Sequence, residues 1–84
     1  MNPLPLLVPL TGLNLLRAIF VQAGHLLLAI REACSIAETL RAADRAEGFV
    51  LGVQTTRGLS PASLEVLQLA FETASRARQK VIGQ

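Results

Sequence analysis

LNLLRAIFVQAGHLLLAIREACSIAETLRAADRAE, residues 13–47, is the stretch whose reading decides the fold. It holds no proline and is rich in Leu, Ala, Arg and Glu, all good helix formers. Pro9 blocks extension backwards, and Thr11 is placed to cap the first turn. Gly48 follows as a natural stop, since glycine takes positive φ without strain. These signals predict one long helix over 12–47. A break near Gly24 is the competing reading, because an interior glycine costs a helix about 1 kcal/mol.

At 3.6 residues per turn, Asn14, Arg17, Gly24, His25, Glu32, Ser35 and Thr39 fall on one side. Leu13, Leu16, Phe20, Ala23, Leu27 and Ile30 recur on the other at spacings of three and four, which is the seam of packed helices. Cys34 and Ala37 continue the row, which turns polar at Arg41 and Asp44. Leu15, Ile19, Leu26 and Leu28 widen the apolar arc in the first half. An arc that wide expects more than one neighbour, or lipid.

Upstream, MNPLPLLVPL is apolar and interrupted by three prolines. Proline and the residue before it favour extended backbone, so 1–11 reads as an apolar extended segment lying against a surface. It is not a cleavable signal peptide by pattern: no Lys or Arg precedes Arg17. Downstream, 48–60 reads as a connector. Phe49, Val50, Leu51 and Val53 have strand character, so a short extended stretch is expected there. A second helix follows over 61–82. Ser60 is its N-cap, Pro61 sits where a missing N–H costs nothing, and Gly83 ends it. Leu64, Leu67, Phe71, Ala74 and Val81 set its apolar row, and Arg78 breaks that row. Glu72 and Arg76 are spaced for an i, i+4 pair.

The expected architecture is therefore all-α: a single domain over 1–84, built as a helical hairpin with one long and one shorter helix. A helix over 13–47 would be roughly 50 Å long. A compact chain of this size has a radius of gyration of roughly 12 Å. The rod would outreach its own chain, and its first half would need cover from elsewhere.

Composition narrows the function classes. The chain is 84 residues long, 51% hydrophobic and 17% charged, with formal net charge +2. Its mean hydropathy is +0.46. The basic residues are too scattered for a nucleic-acid footprint. One cysteine excludes an intrachain disulfide. A membrane span needs about 20 apolar residues, and the cleanest run here, 18–30, contains Gln22, Gly24 and His25.

No motif carries chemistry. His25 lacks companion ligands, since zinc needs three or four. Cys34 lies more than two turns from His25, the only histidine, and reads as a small hydrophobe. Arg17 reads as a polar-face residue. Arg76, Arg78 and Lys80 suit the negative end of a helix dipole. Thr55, Thr56, Arg57 and Gly58 lack the spacing of a phosphate loop. Glu32 and Glu38 are too far apart for a carboxylate dyad. No catalytic residue, cofactor or metal is expected.

The sequence reads as a non-enzymatic helical interaction subunit. It self-associates or docks into a larger protein assembly, with Leu13, Leu16, Phe20, Ala23, Leu27, Ile30, Leu64, Leu67 and Phe71 at the packing surfaces. The rival reading is a small membrane-associated protein with residues 4–30 in or on the bilayer. The expected location is cytoplasmic, or peripheral to the cytoplasmic face of a membrane.

Overall fold

A computed structural model describes residues 15–83 as three helices and no strand. They are α1 (Leu15–Glu32), α2 (Ile36–Thr56) and α3 (Pro61–Ile82). Each helix packs on both of the others. The links, 33–35 and 57–60, are short, so successive helices run antiparallel. α3 returns parallel to α1: Gly58, before α3, packs on Ile19 near the start of α1, and Arg78 reaches Ala33 just past its end. Thr11, Leu13 and the extended segment expected over 1–11 lie outside the described residues.

The single helix over 12–47 does not form, and the chain does not break at Gly24 either. The break comes at Ala33–Cys34–Ser35. Its cause is local. The Ser35 hydroxyl accepts the Glu38 backbone N–H at 3.1 Å, and the Glu38 carboxylate accepts the Cys34 backbone N–H. A Ser and a Glu three residues on satisfy two donors that a new helix would otherwise leave orphaned. Ser35 is extended, at φ −146 and ψ 163, so the chain turns there. The Thr39 hydroxyl accompanies this start by donating to the Ser35 carbonyl at 2.8 Å. Thr39, read as a polar-face residue, is instead completely buried.

Gly48 is not a stop, and 48–53 is neither connector nor strand: both Gly48 and Gly52 are interior to α2. The burial rhythm explains why. Ala42, Ala46, Val50 and Val53 all enter the core at spacings of three and four. Burying the two valines gains roughly 1.5–3 kcal/mol each, which exceeds the cost of about 1 kcal/mol per helical glycine. α2 ends instead at Arg57, in the left-handed region at φ 55. The Gly58 N–H donates to the Val53 carbonyl and the Arg57 N–H to the Gln54 carbonyl. That pair of bonds is a Schellman ending with arginine where glycine is usual. Gly58 itself is needed for close approach: a Cβ there would fall 2.7 Å from Ile19 Cδ1.

α3 starts as its local signals dictate. The Ser60 hydroxyl accepts the Ser63 N–H at 3.2 Å, with Pro61 at the first helical position. The core lies between the three helices. α1 contributes Ile19, Ala23, Leu26 and Ile30, α2 the alanines and valines above, and α3 Leu64 and Phe71. Alanines along α2 let the large residues of the other two helices fill the centre. At 1.5 Å per residue the helices are roughly 27, 31 and 33 Å long, so no 50 Å rod projects from the bundle. The length mismatch expected from the sequence is thereby removed.

Candidate interaction surface

The break in the long helix sorts the expected packing residues into two sets. Ala23 and Ile30 of α1, with Leu64 and Phe71 of α3, are buried in the chain's own core, and Leu67 is half-buried against it. Leu16 and Phe20 are exposed, Phe20 at 54%. Leu27 is half-buried. Leu16, Phe20 and Leu27 therefore form a second stripe on α1, beside the core stripe of Ile19, Ala23, Leu26 and Ile30. Both stripes have helical spacing.

The second stripe borders a groove between α1 and α3. The groove has a volume of about 620 Å³ and takes Leu27 and Arg31 from α1. From α3 it takes Val66, Leu69, Ala74, Ala77 and Val81 among others. Leu16 and Phe20 precede Leu27 by eleven and seven residues, which puts them on the same side of α1 and continues the apolar border. The α3 side is the more open: Val66 is 69% exposed, and Leu69 and Val81 60% each. Single exposed apolar residues are ordinary, but a groove with three of them along one helix, Val66, Leu69 and Val81, is a candidate docking feature. Sequence reasoning missed Val66 and Leu69, and it placed Val81 in the inner apolar row, whereas Val81 is exposed. The signal was present, because α3 carries two apolar arcs separated by small residues.

Charge sits at the margins. Arg31 and Arg78 mark one end of the groove. Arg78 donates from Nε to the Ala33 carbonyl at 2.7 Å, so its charge serves the C-terminal end of α1. On the opposite flank of α3, Glu65, Gln68, Glu72 and Arg76 form a polar face, with Arg76 paired to Glu72 at 3.6 Å.

The remaining candidates do not converge. His25 and Arg17 are exposed on α1. Cys34 is an exposed free thiol in the first link, its Sγ 3.6 Å from the Glu32 carbonyl. Thr55 and Thr56 donate their hydroxyls to the Leu51 and Val53 carbonyls, so they are spent on the helix end. Among the described residues no group of His, Cys, Asp and Glu is placed to hold a metal ion. Among them, too, no helix is long and apolar enough to cross a membrane. A smaller crevice of about 260 Å³ between α2 and α3 is lined by Asp44, Glu47, Gln68, Glu72, Ser75 and Arg76 with apolar neighbours. Its buried Ser75 hydroxyl already accepts from Gln79 Nε2 at 3.0 Å.

Comparison with known proteins finds no matching family model, no similar curated protein and no similar solved structure.

Proposed function

We propose that this chain is a non-enzymatic helical interaction module. It self-associates or docks on a protein assembly through the apolar border of α1, together with the groove that this border makes with α3. The observation that carries the reading is the pair Leu16 and Phe20, left exposed on α1 beside the buried stripe of Ile19, Ala23, Leu26 and Ile30. Each large apolar side chain withdrawn from water contributes roughly 1.5–3 kcal/mol. Leu16 and Phe20 on α1, with Val66, Leu69 and Val81 on α3, supply an interface of useful strength, even after the cost of association is subtracted.

A bilayer surface is the rival occupant. It would have to take the same stripe without unpacking Ile19 and Ile30 from the bundle. Solution mass by light scattering, with and without anionic vesicles, separates the two. The proposal expects a defined oligomer, or a complex with a protein partner, that needs no detergent. Leu16→Asp with Phe20→Asp should reduce the mass to that of the monomer while far-ultraviolet circular dichroism keeps its helical signal. A double variant that keeps the wild-type mass would remove α1 from the interface.

A further inference from the structure

We propose that residues 4–10, in the chain's own apolar start, occupy the groove between α1 and α3 in cis, and that a partner using the groove must displace them. The proposal rests on the docking reading above and adds its regulation: association through the groove is held back by a competing segment of the same chain.

The first argument is the match of side chains. Residues 4–10 read LPLLVPL, five large apolar side chains and two prolines with no charge. Proline favours extended backbone with three residues per turn and a rise of about 3.1 Å. That repeat puts Leu4, Leu7 and Leu10 on one face, about 9 Å apart. The groove offers a surface of similar spacing. Ala70, Ala74 and Ala77 make a low floor on α3, with Leu27 of α1 as a wall and Val66 and Val81 towards the two ends. Ala70 and Ala77 are both exposed, and they lie about 10 Å apart along the helix. Leu7 over Ala70 and Leu4 over Ala77 set large residues on small ones, as close packing requires. Pro5 and Pro9 bring no N–H, so fewer backbone donors are stranded against an apolar surface.

The second argument is reach. α1 and α3 run parallel and start at about the same level, because Gly58 packs on Ile19 and Arg78 reaches Ala33. Val66, five residues past Pro61, is therefore about 8 Å along the groove from the start of α1. The five residues from Leu10 to Leu15 span up to about 17 Å, and Gly12 among them permits the reversal of direction. Leu10 thus reaches the near end of the groove, with the segment antiparallel to α1. Leu4 then falls about 19 Å further on, inside the roughly 22 Å from Val66 to Val81. A segment tethered this closely is present at an effective concentration on the order of millimolar, which a second copy or another partner has to overcome.

The test reads protection of a thiol in the groove, in the full chain. Cys34→Ser removes the native thiol, and Ala70→Cys places one on the floor. Leu40→Cys, at an exposed position of α2, is the reference. Both are alkylated with iodoacetamide at concentrations where light scattering finds only monomer. Occupancy of about nine-tenths should slow Ala70→Cys about tenfold against Leu40→Cys. Changing Leu4, Leu7 and Leu10 together to Asp should bring the two rates level while the helical circular dichroism stays unchanged. With Ala70 and Cys34 restored, the same triple variant should associate about tenfold more tightly, because the competing fraction is gone. Equal rates in the unaltered start at every concentration would overturn the inference and remove the groove from the proposed function, leaving Leu16 and Phe20 to carry it. Protection that appears only as concentration rises would overturn the inference, assign the groove to a second copy and leave the proposed function standing. A triple variant that reacts faster yet associates more weakly would overturn the competition and place the apolar start in the interface itself.

Discussion

Arg78 and Ala33 lie 45 positions apart in sequence and are joined by a 2.7 Å bond from the guanidinium Nε to a backbone carbonyl. Ala33 is buried at the end of α1, where the last carbonyls have no partner within the helix. Arg78 supplies one, and it places positive charge at the negative end of the α1 dipole. The arginine read from sequence as an interruption of the α3 row is therefore a row position whose polar head is satisfied. Its stem packs between helices while the head reaches the link.

Removing that head should cost stability. A hydrogen bond from a charged donor is worth about 1.5–3 kcal/mol, and the half-exposed site lowers this. Arg78→Ala should lose about 1–2 kcal/mol, read as a lower midpoint in urea with an unchanged slope. Lysine lacks the flat, forked donor geometry, so Arg78→Lys should recover less than half. An alanine variant indistinguishable from wild type would show that water serves the Ala33 carbonyl equally well.

The start of α2 makes a second prediction. Ser35→Ala removes the acceptor for the Glu38 N–H and should cost about 1 kcal/mol. Ser35→Asp should keep most of the stability, because its carboxylate caps the same donor. Glu38→Ala should cost less than Ser35→Ala, since the Cys34 N–H that it frees lies in an exposed link. Equal thermal midpoints for Ser35→Ala and Ser35→Asp would remove the capping explanation for the turn.

How far the sequence discloses this fold follows from where its signals are local. The all-helical class and the start of α3 are legible, because Ser60 and Pro61 act within one turn. The start of α2 was legible too: Ser35 and Glu38 are a capping pair. The unbroken helical propensity around them outweighed it. Gly48 misled in the other direction, since its neighbours gain more from the core than glycine loses. The rotation of α1 was not legible at all. That helix is apolar nearly all round, so the stripe of Ile19, Ala23, Leu26 and Ile30 and the stripe of Leu16, Phe20, Ala23, Leu27 and Ile30 fit the same periodicity. Only packing against α2 and α3 chooses between them.

Glycines inside helices give a prediction of the opposite sign. A Cβ added at Gly24, Gly48 or Gly52 would meet nothing within 4 Å. Each change to alanine should raise stability by about 0.5–1 kcal/mol through helix propensity alone. Arg57→Gly should also stabilise, by up to about 1 kcal/mol, because it relieves a non-glycine residue held in the left-handed region. Changes at Gly48 and Gly52, on the outer face of α2, should leave the oligomeric state untouched. Gly24 lies beside the Phe20 and Leu27 stripe, so Gly24→Ala is the one that should also alter association. Thermal melts beside solution masses check both statements at once.

Phe20 and Phe71 supply a paired contrast between assembly and folding. Phe71 is buried between the helices, and Phe20 is more than half exposed. Phe71→Ala should leave a cavity and cost about 3–5 kcal/mol, a large share of what a bundle this small possesses. Phe20→Ala should change unfolding of the dilute monomer by no more than about 0.5 kcal/mol. At high concentration the order reverses in a measurable way. Phe20→Ala should lose the stabilisation that mass action gives an oligomer, so its melting temperature should stop rising with concentration while wild type continues to rise. If Phe20→Ala destabilises the dilute monomer as much as Phe71→Ala does, then Phe20 belongs to the fold of the single chain and α1 has no free stripe to offer a partner.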